Sequence, residues 1–156
     1  APCMSIPFAI RPFWQEDLPA VLELFWETVH TVNSDAYSAD QLDAWAPADP
    51  DIQAWKTSLA AHRAYVAVDD AGKLIGFGDI AWGHIDRLYV QASCLGRGIG
   101  SALLRELERD APRPLDVDAS ITAKPFFERH GYRAAARQTV TRRGIELTNY
   151  RMVKRS

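Results

Sequence analysis

Cysteine is scarce in this chain: only Cys3 and Cys94 occur in 156 residues. Two thiols cannot build the disulfide framework of a small secreted scaffold, and neither sits in a C-x-x-C or other zinc-ligand spacing. A reducing cytoplasm is therefore the default compartment. Long apolar runs are missing too: none approaches the roughly 18 residues of a membrane span. The N-terminus lacks a charged segment followed by an apolar core, so neither a span nor a signal peptide is predicted. Net charge is small, because 18 basic and 20 acidic side chains leave −2. That removes any general electrostatic reason to bind nucleic acid or an anionic membrane. His30, His62 and His130 fall at no metal-ligand spacing. They read as solvent-facing residues or helix-end caps, and no metal is predicted.

What is present is the composition of an ordinary globule, 47% hydrophobic and 24% charged. The length suits one domain over 1–156, with 1–6 as a disordered tail, and such a domain buries about two-thirds of its unfolded surface. Phe8 to Pro12 reads as a first strand. Asp17 offers a cap and Pro19 suits a first turn, while Leu18, Val21, Leu22, Phe25 and Val29 share one helical face, predicting a helix from Leu18 to about Val32. Ser38 with Gln41 forms a capping box ahead of Leu42 and Trp45, and Asp49-Pro50 opens a third helical piece through Trp55 and Leu59. Ala64 to Val68 and Leu74 to Trp82 read as antiparallel strands about the turn at 69–72, and His84 to Val90 as the next strand. A helix follows, with a stripe of Ile99, Leu103 and Leu107. Leu115 to Ala119 is then a strand, and a short helix capped by Ser120 or Thr122 stops at Gly131. Pro125 favours Thr122 as the cap, because proline is tolerated only in a first turn. Tyr132 to Thr141 and Ile145 to Lys154 make a closing hairpin. The order predicts an α+β fold, a mixed sheet flanked by helices, with the strands before and after the stripe helix as parallel neighbours.

The chemistry concentrates in Leu95-Gly96-Arg97-Gly98-Ile99-Gly100-Ser101, a glycine turn between a strand and a helix. Glycines at every second position let backbone approach a ligand, and the unpaired N–H groups of the first helical turn make an anion cradle. Ser101 stands where a glycine would complete G-x-G-x-x-G, and no Gly-Lys-Ser/Thr makes a P-loop, so those two phosphate-binding routes are excluded.

With the segment from Asp116 through Pro125-Phe126-Phe127 to Gly131-Tyr132, this turn resembles the GNAT superfamily of N-acetyltransferases. The likeness runs from Ile10-Arg11-Pro12 to Thr148-Asn149-Tyr150, and 118–132 resembles its YafP-like bacterial branch. It implies a mostly antiparallel sheet of about seven strands with a splayed parallel pair at the cofactor site, and acetyl-coenzyme A as co-substrate. Gly96, Arg97, Gly98, Ile99, Gly100 and Ser101 would then hold the pyrophosphate. Leu88, Tyr89 and Val90 would lie along the pantetheine arm, with Ser120, Lys124 and Phe127 flanking the thioester or outer phosphates. Two positions depart from the family pattern: Leu95 replaces the usual Gln or Arg, and Phe127 replaces a Tyr.

Acetylating an alkyl ammonium requires removing a proton about 3.4 units above neutrality, roughly 4.6 kcal/mol, so a base is needed. His84, where some members of the family carry glutamate, is the candidate base. Asp86, two residues on along the same strand face, is the candidate to orient its ring. The plainer readings are an exposed strand-start histidine and a solvated charge. Tyr132 is the candidate substitute acid, or a core residue; Lys124 reaches a phosphate or is solvated. Cys94 is assigned no catalytic role, since free cysteines are mostly small buried fillers. Trp26, Tyr37, Trp45 and Trp55 lie where the family binds its acceptor, and aromatic walls suit an apolar or cationic amine, although tryptophan at helical spacing is usually core. The leading expectation is direct acetyl transfer to a primary amine of a small molecule, with a homodimer left open. The alternative is a non-catalytic acyl-coenzyme A binding or toxin–antitoxin partner module, motivated by Leu95 and Phe127.

Overall fold

The computed structural model describes residues 7–156, so the expected tail over 1–6, with Cys3, lies outside the described residues. One seven-stranded sheet runs through it: β1 (Phe8–Pro12), β2 (Arg63–Asp69), β3 (Leu74–Ala81), β4 (His84–Val90), β5 (Leu115–Ser120), β6 (Arg133–Arg142) and β7 (Ile145–Lys154). The spatial order is β1-β2-β3-β4-β5-β7-β6. Every neighbouring pair is antiparallel except β4 and β5. Five helices cover it: α1 (Leu18–Val32), α2 (Ala39–Trp45), α3 (Ile52–Ala61), α4 (Ile99–Glu108) and α5 (Lys124–Arg129).

The local chemistry explains these boundaries. Ser38 and Gln41 close the capping box of α2, with Ser38 N–H donating to Gln41 Oε1 at 2.8 Å and Gln41 N–H to Ser38 Oγ at 3.2 Å. Asp69 Oδ1 accepts from the amides of Ala71 and Lys73, each at 2.9 Å, which folds the chain back between β2 and β3. Two caps differ from expectation. Asp17 does not cap α1; its carboxylate takes Arg11 in a two-pronged pair at 2.8 and 2.9 Å and accepts from Trp14 N–H. The guanidinium beside it holds the Asp17 carboxyl below its usual range. At α5, Ser120 Oγ rather than Thr122 accepts an amide, that of Ala123 at 3.0 Å. Proline in the first turn of α5 fits either cap, so Pro125 did not discriminate.

The apolar stripe of α4 does most to fix its place. Ile99, Leu103, Leu104 and Leu107 are at most 2% exposed, each a burial worth about 1.5–3 kcal/mol. They lie on β3, where two glycines make room. A Cβ at Gly76 would stand 3.0 Å from Leu103 Cδ1, and one at Gly78 3.0 Å from both Leu107 Cδ1 and the Arg87 carbonyl. Val21 and Leu24 of α1 pack with Val66 and Phe77 in a separate cluster. Gly78→Ala is expected to cost about 1–3 kcal/mol of stability through overpacking, measured as a lowered urea midpoint at unchanged m-value.

Candidate active site

Between Val90 and Leu115 the chain leaves the sheet as α4 and returns, so β4 and β5 are parallel. Their register covers only His84↔Asp116 and Ile85↔Val117. Beyond those two pairs the strands part. The glycine turn sits over the opening: Gly96 and Gly98 have φ of +77° and +82°, and nothing lies within 4 Å of a Cβ built on either. Gly98 is the left-handed N-cap of α4 and offers no side-chain cap, so the first-turn amides face open space.

A cleft of about 570 Å³ runs from this turn along Leu88, Tyr89 and Val90 to the start of α5. Leu95, Gly96, Gly98, Gly100, Ser101, Ser120 and Phe127 of the predicted cofactor set line it. Ile99 is buried, so only its backbone can face a ligand. Arg97 and Lys124, like Ile99, are not among the lining residues. Arg97 is exposed. Lys124 is taken up by Glu128 at 3.2 Å and lies 5.3 Å over the Tyr150 ring. Two residues that the sequence did not single out border the same cleft from the end of α1: Thr28 and Asn33, whose Oγ1 and Oδ1 are buried with no partner. A buried acceptor left unpaired costs about 1–3 kcal/mol, which a ligand carrying amides would relieve. Cys94 is fully buried and not a free thiol, contrary to the expected free filler, so it offers no nucleophile.

Below the cleft, where the strands part, lies a smaller cavity of about 170 Å³. Phe127, Leu88, Tyr89, Ser120 and Ala123 border both spaces, so the two are neighbours. His84 is in the wall of this cavity, its Nδ1 2.5 Å from Asp116 Oδ1 and its Nε2 4.0 Å from Asp118 Oδ2. A carboxylate can only accept here, so Nδ1 carries the hydrogen and Nε2 is the free basic nitrogen of the neutral ring. Asp86 is not the partner that the sequence indicated. Asp79 pairs with Arg87 and Ile80 with Ile85, so Asp86 is the extra residue of a bulge and the strand's alternation is broken there. Its carboxylate stands 3.8 Å from His62 Nδ1 and 3.5 Å from Arg87 Nη2. The orienting carboxylate comes instead from the parallel neighbour, because register partners present side chains to the same face. The D-V-D run at 116–118 was the available signal, but register across a crossover is not written in sequence.

Tyr132 is also displaced from its predicted role. It is 2% exposed, packs in the core with Phe127 and Met152, and donates to Glu108 Oε2 at 2.7 Å. Burial, reinforced by that carboxylate, pushes its phenol well above the usual range. It lines neither space and has no geometry for protonating a ligand there.

The aromatic residues divide. Tyr37 and Trp45 wall the smaller cavity, and Trp26, Trp45 and Trp55 line an adjoining groove of about 750 Å³ between α1, α2 and α3. Tyr37 has a structural task as well: its hydroxyl donates to the Thr148 carbonyl at 2.6 Å and accepts from Ile121 N–H at 2.9 Å. His62 turns inward rather than to solvent and meets Asp79 Oδ2 at 2.8 Å. With Asp86 it brings one ligand atom from each of three residues within 4.8 Å, yet Arg87 Nη1 stands 2.6 Å from that same Asp79 oxygen. The guanidinium, stacked 4.3 Å over Trp55, is the cation of this cluster. Burial still raises the Asp79 carboxyl above its ordinary range.

A glycine turn above a split parallel pair, with a histidine–aspartate pair at the split, is an arrangement suited to a phosphate-bearing ligand. The comparisons give the class. The Acetyltransferase (GNAT) domain family matches residues 33–154. The uncharacterized N-acetyltransferase YafP of Escherichia coli is 38% identical over 143 residues, 92% of this chain and 93% of that protein. The crystal structure of a GCN5-related N-acetyltransferase from Rhodopseudomonas palustris superposes with a TM-score of 0.92 at 33% identity, covering 98% of this chain and 99% of that one. The PaiA N-acetyltransferase of Thermoplasma acidophilum, solved with coenzyme A, shares the fold with a TM-score of 0.78 at 18% identity, over 97% of this chain and 100% of that one. The chain belongs to the GNAT family and is an acetyl-coenzyme A-dependent acetyltransferase. No helix among the described residues is long and apolar enough to cross a membrane.

Because a side chain at Gly98 would point into open space, Gly98→Trp should block the cradle without crowding the core. Acetyl-coenzyme A affinity measured by calorimetry is expected to fall at least about tenfold, while stability falls by no more than about 1–2 kcal/mol for the left-handed backbone.

Proposed function

We propose that this enzyme transfers acetyl directly from acetyl-coenzyme A to the primary amine of a small molecule while both are bound. The observation that carries the reading is the His84–Asp116 contact of 2.5 Å at the point where β4 and β5 part. It supports the reading because the bare Nε2 of that ring belongs to the wall of the smaller cavity, whose lining shares Leu88, Tyr89 and Phe127 with the cofactor cleft.

The residues present fit the co-substrate. The open space before Gly96 and Gly98 admits a pyrophosphate onto the α4 amides, and the orphaned Thr28 Oγ1 and Asn33 Oδ1 suit the amide-bearing arm. Bound there, acetyl-coenzyme A supplies the activated acyl group. The protein's part begins with the amine. Asp118 and Asp86 in the cavity wall attract an ammonium. His84 Nε2 then takes its proton, and Asp116 stabilises the imidazolium that results. Beyond Ile85 the β5-facing edge of β4 has no strand partner and offers N–H groups for the carbonyl oxygen. Phe127 in place of a tyrosine leaves the thiolate without a phenol donor. A thiol titrates only about 1.5 units above neutrality, so the loss costs at most about 2 kcal/mol. The small volume of the cavity and its Tyr37 and Trp45 walls favour a small acceptor whose body extends into the tryptophan groove.

Removing the base in His84→Ala should lower kcat about 10²- to 10⁴-fold with little change in acetyl-coenzyme A affinity. Asp116→Asn, which keeps the shape but loses the charge, should cost about 10- to 100-fold in kcat. Asp86→Asn should act mainly on KM for the amine. Steady-state kinetics on a panel of amines checks all three, and an Asp86 effect on kcat as large as that of Asp116 would reverse the assignment.

A further inference from the structure

One polar pair in the cofactor cleft has no place in the acetyl-transfer chemistry. Ser101, in the first turn of α4, and His130, the C-cap of α5, meet at 2.8 Å between Oγ and Nε2. His130 Nδ1 lies 2.8 Å from the Phe126 carbonyl. The helices are close enough for this because a Cβ at Gly100 would already stand 3.2 Å from Phe126 Cε1. Both side chains line the cleft beside Gly98 and Gly100.

The hydrogens in this chain can be assigned from chemistry. A carbonyl oxygen only accepts, so His130 Nδ1 carries the hydrogen of the neutral ring and Nε2 is bare. Nε2 then takes the single hydrogen of Ser101. In that state Ser101 turns only lone pairs toward the cleft, and an anion on the α4 amides meets an acceptor instead of a donor. If the ring gains a proton from solvent, Nε2–H donates to Ser101 Oγ, and the serine hydrogen is free to turn to the anion. One proton therefore provides a hydroxyl donor and a full positive charge at the cradle. Two cations stand near the ring, and neither adds a hydroxyl donor at the cradle. Arg129, one residue back on α5, also borders the cleft. Lys154 of β7, whose Cε is 3.4 Å from a Cβ built on the adjacent Gly131, is neutralised by Glu108 of α4 at 3.0 Å. Phe126 stacks on the ring with centroids 4.4 Å apart and contributes no charge.

We propose that Ser101 and His130 form a proton-linked anchor for the pyrophosphate of the co-substrate, His130 taking up a proton as the cofactor binds. The proposal rests on the coenzyme A reading of this cleft. Imidazole is the side chain that changes charge between pH 5 and 8, so affinity is greatest where the ring is protonated and declines as the pH rises toward 8.

The test uses the intact protein and dephospho-coenzyme A, which keeps the pyrophosphate but lacks the 3′-phosphate monoester whose own titration near pH 6 would mimic the effect. Calorimetry between pH 5.5 and 8, in two buffers of different ionisation enthalpy at each pH, reads affinity and proton uptake together. The expected result is an affinity loss on the order of tenfold across that range, the scale of one charge-assisted hydrogen bond, with a fractional proton taken up near neutrality. Pantetheine, which has no phosphate, should bind without uptake. In His130→Asn, where asparagine still suits a helix C-cap, dephospho-coenzyme A should bind with neither slope nor uptake. Wild-type binding without proton uptake, or a slope that survives in His130→Asn, overturns the anchor while leaving the cofactor site intact. No binding of dephospho- or acetyl-coenzyme A at any pH overturns the reading of the cleft itself, and the anchor with it.

Discussion

Parallel pairing between β4 and β5 lasts for two residues, and that brevity organises the molecule. A full ladder would seal the sheet and leave no route between its faces. No pairing at all would leave the two halves of the sheet unjoined. Two register pairs are enough to bring His84 beside Asp116 and then release the strands. The released main chain of β4 must find other partners, since unpaired backbone groups in an apolar setting are costly. A ligand with amides and a carbonyl meets that need. The split is held open from both sides: α4 is anchored on β3 through the space left by Gly76 and Gly78, and β5 is held along its length by β7 from Leu115↔Lys154 to Ser120↔Asn149.

The bulge at Asp86 belongs to the same design. It sits one step beyond the last parallel pair and rotates the strand so that Arg87 and Tyr89 turn toward α1 and α3. Arg87 there reaches Asp79, Ser58 and the Trp55 ring, while Tyr89 packs edge-on against Phe25 with centroids 5.1 Å apart. The His84–Asp116 pair thus lies before the bulge, and the side chains that meet α1 and α3 lie after it.

Much of the fold was legible because it is encoded locally. α1 follows from periodicity, α2 from its capping box and the cradle from the spacing of Gly96, Gly98 and Gly100. Family resemblance supplied the splayed pair. The parts that were not legible depend on register and on approaches between distant segments. Asp116 could not be paired with His84, because nothing in either strand states how far the crossover through α4 shifts one against the other. Asp86 was misassigned because alternation presumes an unbroken strand, and a bulge leaves no mark in composition. His130 could be read as a helix-end residue, but its reach to Ser101 depends on how closely α5 approaches α4. Thr28 and Asn33 stood out only once their burial without partners was visible.

The Tyr37 hydroxyl joins the turn after α1 to the amide of Ile121 and to the Thr148 carbonyl 111 positions away. Three segments that differ widely in sequence position therefore share one buried oxygen. Opening any of them alone would strand a donor or acceptor, so they are expected to open as one cooperative unit. Local breathing of this wall would appear in amide exchange as a common opening free energy for the turn at 33–37 and Ile121, rather than as independent flicker of surface loops. The wall of the smaller cavity is thereby tied from the turn after the first helix to the last strand.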